Sequence, residues 1–131
     1  MLEKKQVLFY TKIKEIFIMD DCIFCKIAKG EIPSTKVYED DKILAFKDLN
    51  PMAPVHILFI PKEHICCADK IDETNSSLVA HIFQVIPKVA KELGLESGYR
   101  VVTNCKEDAG QTVFHLHFHL LGGKKLNMNL A

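Results

Sequence analysis

Three histidines fall within five positions of the chain, His115, His117 and His119, inside the run Phe-His-Leu-His-Phe-His-Leu at 114 to 120. Imidazole suits metal ligation, proton transfer and nucleophilic attack near neutral pH, because one ring nitrogen keeps a lone pair while the other carries a proton. Side chains of a strand alternate between faces, so the histidines project one way while Phe114, Leu116, Phe118 and Leu120 project the other. A strand with a plain solvent-facing side would be served as well by threonine or lysine. Half of the six histidines in this one segment therefore points to chemistry. A second group is Cys22-Ile-Phe-Cys25. Two thiolates at that spacing can meet one ion, and zinc then requires two more nitrogen or sulfur ligands. Two buried thiols or a redox pair are the other readings of the same residues.

These residues need elements to hold them. A short helix is expected over Cys22 to Lys29, capped by Asp20 or Asp21 and ended by Gly30. Lys36 to Glu39 and Ile43 to Asp48 read as a strand pair around Asp40-Asp41. Val55 to Ile60 is a nearly continuous apolar run, suggesting a central strand ended by Pro61. Between Ser76 and Leu93, the residues Leu78, Val79, Ile82, Phe83, Ile86, Val89, Ala90 and Leu93 recur at helical spacing. Thr74 or Asn75 would cap that helix, Gly94 would close it and Pro87 should bend it. Tyr99 to Asn104 and Phe114 to Leu121 supply the last strands, predicting an α+β fold with a five-stranded antiparallel sheet and two main helices.

At 131 residues and 48% hydrophobic content the chain suits one domain, gaining burial from a partner subunit. Seventeen basic and seventeen acidic residues cancel, and without a Lys/Arg block nothing supports a broad nucleic-acid surface. Five cysteines with no secretory signal favour a reducing, cytoplasmic setting. Residues 1–18 contain no apolar stretch long enough to span a membrane and read as an N-terminal extension, helical or disordered, ahead of a single domain at 19–131.

The joint pattern resembles the histidine triad (HIT) family, in its HINT-like, zinc-containing, nucleotide-binding branch. His115 to Leu121 carries the triad signature, and Cys22-Ile-Phe-Cys-Lys-Ile, Phe46-Lys-Asp-Leu-Asn-Pro, Ile60-Pro-Lys-Glu-His and Gly110-Gln-Thr-Val-Phe-His follow in the family's order. The resemblance covers residues 20 to 123. It implies a hydrolase or transferase acting at the α-phosphate of purine nucleoside 5′-phosphoramidates, with an AMP- or GMP-type ligand and a homodimeric assembly. Its rivals on the same site are hydrolysis of dinucleoside polyphosphates and a nucleotide-binding adaptor with incidental hydrolysis.

Residue by residue, the resemblance makes His117 the nucleophile, with its second nitrogen held by a backbone carbonyl, and places His119 near the leaving group and His56 in support of the phosphate or the nucleophile. Gly110, Gln111, Thr112 and Asn104 fall to the phosphate, Asp48 to the ribose hydroxyls, and Ile23, Phe24, Ile27, Phe46 and Leu49 to the wall around the base. It also implies a structural zinc ion on Cys22, Cys25, His64 and His115. Those separations are too long for a zinc-finger loop, which argues against a nucleic-acid module. Cys66, Cys67 and Cys105 read as bystanders and His81 as an ordinary helix residue. The tail departs from the family, for the chain has no Trp and Met128 stands about where the family's tail tryptophan would be.

Overall fold

The structure is a computed structural model and describes residues 21 to 130, so the expectations for residues 1–18 and for Asp20 lie outside the described residues. In chain order the elements are α1 (Ile23–Ala28), β1 (Lys36–Glu39), β2 (Ile43–Lys47), β3 (Val55–Pro61), α2 (Ser76–Glu92), β4 (Tyr99–Val102) and β5 (Phe118–Gly122). Single 3-10 turns lie at Ala68–Lys70 and Glu107–Ala109. The five strands form one antiparallel sheet in the order β1-β2-β3-β5-β4, as the apolar patterning predicts. None of the described helices is long and apolar enough to cross a membrane.

Strand alternation gives each face of this sheet its own task. Ile43, Ala45, Ile57, Phe59, Phe118 and Leu120 project to one side and meet α2 through Ile82, Val85, Ile86, Val89 and Ala90. Leu44, Phe46, Leu58 and Ile60 project to the other and meet α1 through Phe24, Cys25 and Ile27. The register pairs Leu58 with His119 and His56 with Leu121, so both histidines belong to the α1 side. The near-continuous apolar run of β3 follows from this, since both of its faces are covered.

Helix α2 continues for five residues beyond Pro87. Pro87 lies on the exposed side, as does Phe83, whose carbonyl loses the helical bond. An interior proline costs about 3 kcal/mol. Burial of Ile82, Val85, Ile86 and Val89, at about 1.5–3 kcal/mol each, outweighs it.

Three local expectations change. The N-cap of α1 is Cys22, whose Sγ accepts from the Cys25 N–H at 3.4 Å, so Asp21 does not cap it. The β5 ladder begins at Phe118 rather than Phe114. Pro61 ends β3 and has no N–H with which to extend the ladder, and the Leu116 N–H donates outside it, to the Ile65 carbonyl at 2.6 Å. His81 is more than an ordinary helix residue, because its Nε2 donates to Asp40 Oδ2 at 2.6 Å and ties α2 to the β1–β2 turn.

Asp40 organises that turn, accepting also from the Lys42 and Ile43 N–H groups at 2.8 and 2.9 Å and from the Tyr38 hydroxyl at 2.8 Å. Burial acts to raise its pKa, but the bonds from His81, Ile43, Lys42 and Tyr38 win and hold the carboxyl well below its usual range. A depressed folded-state pKa gives stability that is present above the unfolded value and lost as pH falls. Asp40→Asn is expected to lower stability by about 1–2 kcal/mol near pH 7. In urea melts at several pH values, the gap between variant and parent should narrow progressively below about pH 3.9.

Candidate active site and metal centre

On the α1 side of the sheet a cleft of about 590 Å³ opens between α1, β2 and the segment that leads into β5. Ile23, Phe24, Ile27, Phe46 and Leu58 form its apolar wall, and Asp48, His56, His117 and His119 bring polar groups into it. Gly110 and Thr112 line it from the loop ahead of the histidine segment, and Leu49 and Met52 from the loop after β2. These last two are large apolar side chains left 93% and 77% exposed, available to cover something seated in the cleft.

Buried His117 has its tautomer set by the backbone. Its Nδ1 donates to the His115 carbonyl at 2.6 Å, so the lone pair resides on Nε2. That carbonyl is free to accept because residues 115 to 117 do not join the β3 ladder. The Thr103 hydroxyl, donating to the His117 carbonyl at 2.8 Å, fixes the same segment from beyond β4. Phe24 stands edge-on to the His117 ring with centroids 5.1 Å apart. His56 and His119 meet at 2.8 Å, Nε2 to Nδ1, and Asp48 Oδ2 lies 3.4 Å from His56 Nε2. Burial lowers the pKa of His117 and His56, and burial followed by the neighbouring His117 and His56 brings His119 to about 4. All three rings are therefore neutral near pH 7, the state in which an imidazole can attack.

Two of the expected phosphate residues sit elsewhere. Gln111 is buried and turned inward, its Nε2 donating to the Cys66 and Val113 carbonyls at 2.8 and 3.0 Å while its Oε1 accepts from the Lys106 N–H at 2.8 Å. It staples the loop that carries Gly110 and Thr112 rather than lining the cleft. Half-buried Asn104, two residues past the end of β4, is likewise not among the lining residues. The stapled loop contains Gly110 at φ +78°, and also Lys106 at φ 69°, ψ −171°, a region that only glycine occupies without strain.

Behind the cleft, the ligand atoms of Cys22, Cys25, His64 and His115 all lie within 4.8 Å of one another. Cys22 Sγ is 3.4 Å from His115 Nδ1, and Cys25 Sγ is 3.2 and 3.5 Å from the Nδ1 atoms of His64 and His115. Tetrahedral zinc with bonds of about 2.3 Å to sulfur and about 2.0–2.1 Å to nitrogen sets sulfur and nitrogen roughly 3.6 Å apart, so the four residues fit that ion. His115 Nε2 donates to the Pro61 carbonyl at 2.8 Å, which leaves Nδ1 as the ligand atom. Burial keeps His64 and His115 neutral, His115 down to about 4, as ligation requires. Burial, then the adjacent Cys22, push the Cys25 thiol up to about 12, so this thiol ionises only against a cation. The alternative redox-pair reading has no support in the geometry, since the histidines complete a closed tetrad.

Protein purified without chelators is expected to contain one zinc per chain by elemental analysis. Cys25→Ser should abolish retention of the metal and cost about 4 kcal/mol or more of stability, read by thermal melts. In the stapled loop, Lys106→Gly relieves the strained φ at the loss of the exposed ion pair with Asp69. A net gain of about 1 kcal/mol is expected in denaturant titrations.

The HIT domain family model matches residues 29–126. A 14 kDa zinc-binding protein from Zea mays is 50% identical over 107 residues, which make up 80% of this chain and 84% of that protein. Among solved structures, a HIT family hydrolase from Legionella pneumophila is 49% identical with a TM-score of 0.80, covering 82% of this chain and 97% of that one. A histidine triad nucleotide-binding protein from Candida albicans is 38% identical with a TM-score of 0.76, covering 85% and 83%. With its three-histidine segment over a cleft, its five-stranded sheet and most of its length matched, the chain belongs to the histidine triad family.

Proposed function

We propose that the protein is a purine nucleoside phosphoramidase, a hydrolase that cleaves 5′-phosphoramidates of the AMP type through a nucleotidyl intermediate on His117. The observation that carries this reading is a buried, neutral imidazole whose Nδ1 proton is committed to the His115 carbonyl, leaving Nε2 as a nucleophile in a nucleotide-sized cleft. In the first step Nε2 bonds to the α-phosphorus while the phosphorus–nitrogen bond of the substrate breaks and its electron pair leaves with the amine. His119 assists proton transfer to that amine. In the second step water attacks phosphorus and passes a proton back to His119, the histidine–phosphorus bond breaks and the lone pair returns to Nε2.

The surroundings support a nucleoside monophosphate. Asp48 is a carboxylate at the rim, its side chain 20% exposed, with Oδ1 accepting from the Asn50 N–H at 2.8 Å and a second oxygen suited to ribose hydroxyls. Ile23, Phe24, Ile27 and Phe46 offer an apolar slot for a flat base. Gly110 and Thr112 present a backbone without side-chain cover and a hydroxyl to the phosphate. Cys22, Cys25, His64 and His115 would hold a structural zinc ion, which as a closed site supplies stability and takes no part in bond making. The working unit in this reading is a homodimer, for which the sheet order leaves β4 as an edge.

His117→Ala is expected to abolish turnover of an AMP-amidate by at least about 10⁴-fold while AMP binding, measured by calorimetry, changes little. Rapid quenching of the parent enzyme should trap a nucleotidyl group on His117. An adduct on another residue would sink the assignment. Faster turnover of a diadenosine polyphosphate than of any AMP-amidate would transfer the site to the other substrate class.

A further inference from the structure

We propose that His56 is a positioning residue that sets the tautomer of His119, and that the backbone N–H of Met52 in turn sets the tautomer of His56. The Met52 N–H donates to His56 Nδ1 at 3.0 Å, so that nitrogen must offer a lone pair and the proton of the neutral ring lies on Nε2. His56 Nε2 is 2.8 Å from His119 Nδ1 and 3.4 Å from Asp48 Oδ2, and both of these neighbours can accept. The Nε2–H of His56 therefore points at His119 Nδ1, which must be unprotonated to receive it. His119 then carries its own proton on Nε2. The nitrogen that His56 leaves unengaged is a donor, and the ring belongs to the cleft wall.

Two alternatives fail on the same contacts. Asp48, His56 and His119 place three ligand atoms within 4.8 Å, an arrangement a cation could join. A metal on His56 Nε2 would move the ring proton to Nδ1, where it would confront the Met52 N–H. The reverse hydrogen bond, from His119 Nδ1–H to His56 Nε2, meets the same collision. Met52 lies between Pro51 and Pro54 in the sequence, and the restricted backbone of that stretch keeps its N–H in place.

The consequence rests on the nucleotidyl-transfer reading given above. Facing the substrate, His119 offers an N–H suited to an anionic phosphoryl oxygen or to the leaving group, while His117 offers a lone pair. Two neighbouring imidazoles thus take opposite parts because their Nδ1 atoms meet opposite partners, a carbonyl at His117 and an N–H at His119. His56 acts through His119 and leaves the nucleophile to His115.

The test is long-range proton–nitrogen NMR on full-length, zinc-loaded protein labelled with 15N-histidine near pH 7. Expected are His56 and His119 both protonated at Nε2, with a scalar coupling across the hydrogen bond between His56 Nε2 and His119 Nδ1. A proton bonded to His119 Nδ1, or to His56 Nδ1, would overturn the proposal. His56→Glu replaces the donor by an acceptor and should draw a proton onto His119 Nδ1; an unchanged His119 spectrum in that variant would also overturn it. With an AMP-amidate, His56→Leu should lower kcat about 100-fold while KM changes less than about threefold, and His56→Gln, which keeps an N–H, should recover about tenfold of the loss. Equal losses in the Leu and Gln variants would count against a tautomer role. Absence of turnover in the parent protein, with the coupling present, would remove the phosphoramidase reading and leave the tautomer assignment intact.

Discussion

Three polar groups of one fully buried residue, His115, are each committed to a different partner, and the rest of the site depends on that arrangement. Its Nε2 donates to the Pro61 carbonyl, its Nδ1 faces the sulfurs of Cys22 and Cys25, and its carbonyl accepts the Nδ1 proton of His117. Each commitment excludes another possibility for the same group. Because the ring is spent on the metal tetrad, the residue contributes to the cleft only through its backbone, and that contribution defines which nitrogen of His117 keeps its lone pair. Leaving any of these groups unpaired at zero exposure would cost about 1–3 kcal/mol, so the arrangement is held tightly.

The metal centre and the cleft are therefore two sides of one short segment. Helix α1 is only six residues long, too short to stand by itself, and it is fastened to the sheet where Cys22 and Cys25 approach His64 and His115. Cys22 serves both as cap and as ligand. Phe24, between those cysteines, lies edge-on to the rings of both His115 and His117. Fixing the helix thus also fixes the apolar wall against His117, which explains how a structural ion site supports a cleft it does not enter.

Much of this was legible in the residue order. The alternation at 114 to 120 placed Leu116, Phe118 and Leu120 in the core and His117 and His119 in the cleft, and the helical spacing at 76 to 93 marked the face of α2. Phe114 escapes the pattern and stays about half exposed, because it precedes the ladder that begins at Phe118. Inward-turned Gln111 was not legible, since an amide in a glycine-bearing turn has the same composition whether it faces a phosphate or three backbone groups. Nor was the tie between His81 and Asp40, two residues separated by forty-one positions and joined only when α2 crosses the sheet.

By itself, then, the sequence determined which residues can bond to metal or phosphorus and which face each occupies, because side-chain type and periodicity are properties of the chain. Tertiary structure alone decided the protonation pattern of the histidines. That pattern comes from the carbonyls of Pro61 and His115 and the N–H of Met52, backbone groups of a kind common to almost every residue and recorded by no motif. A backbone group acquires chemical meaning only when the fold sets it against a particular ring nitrogen. The division of roles proposed for His117 and His119 is for that reason a product of packing.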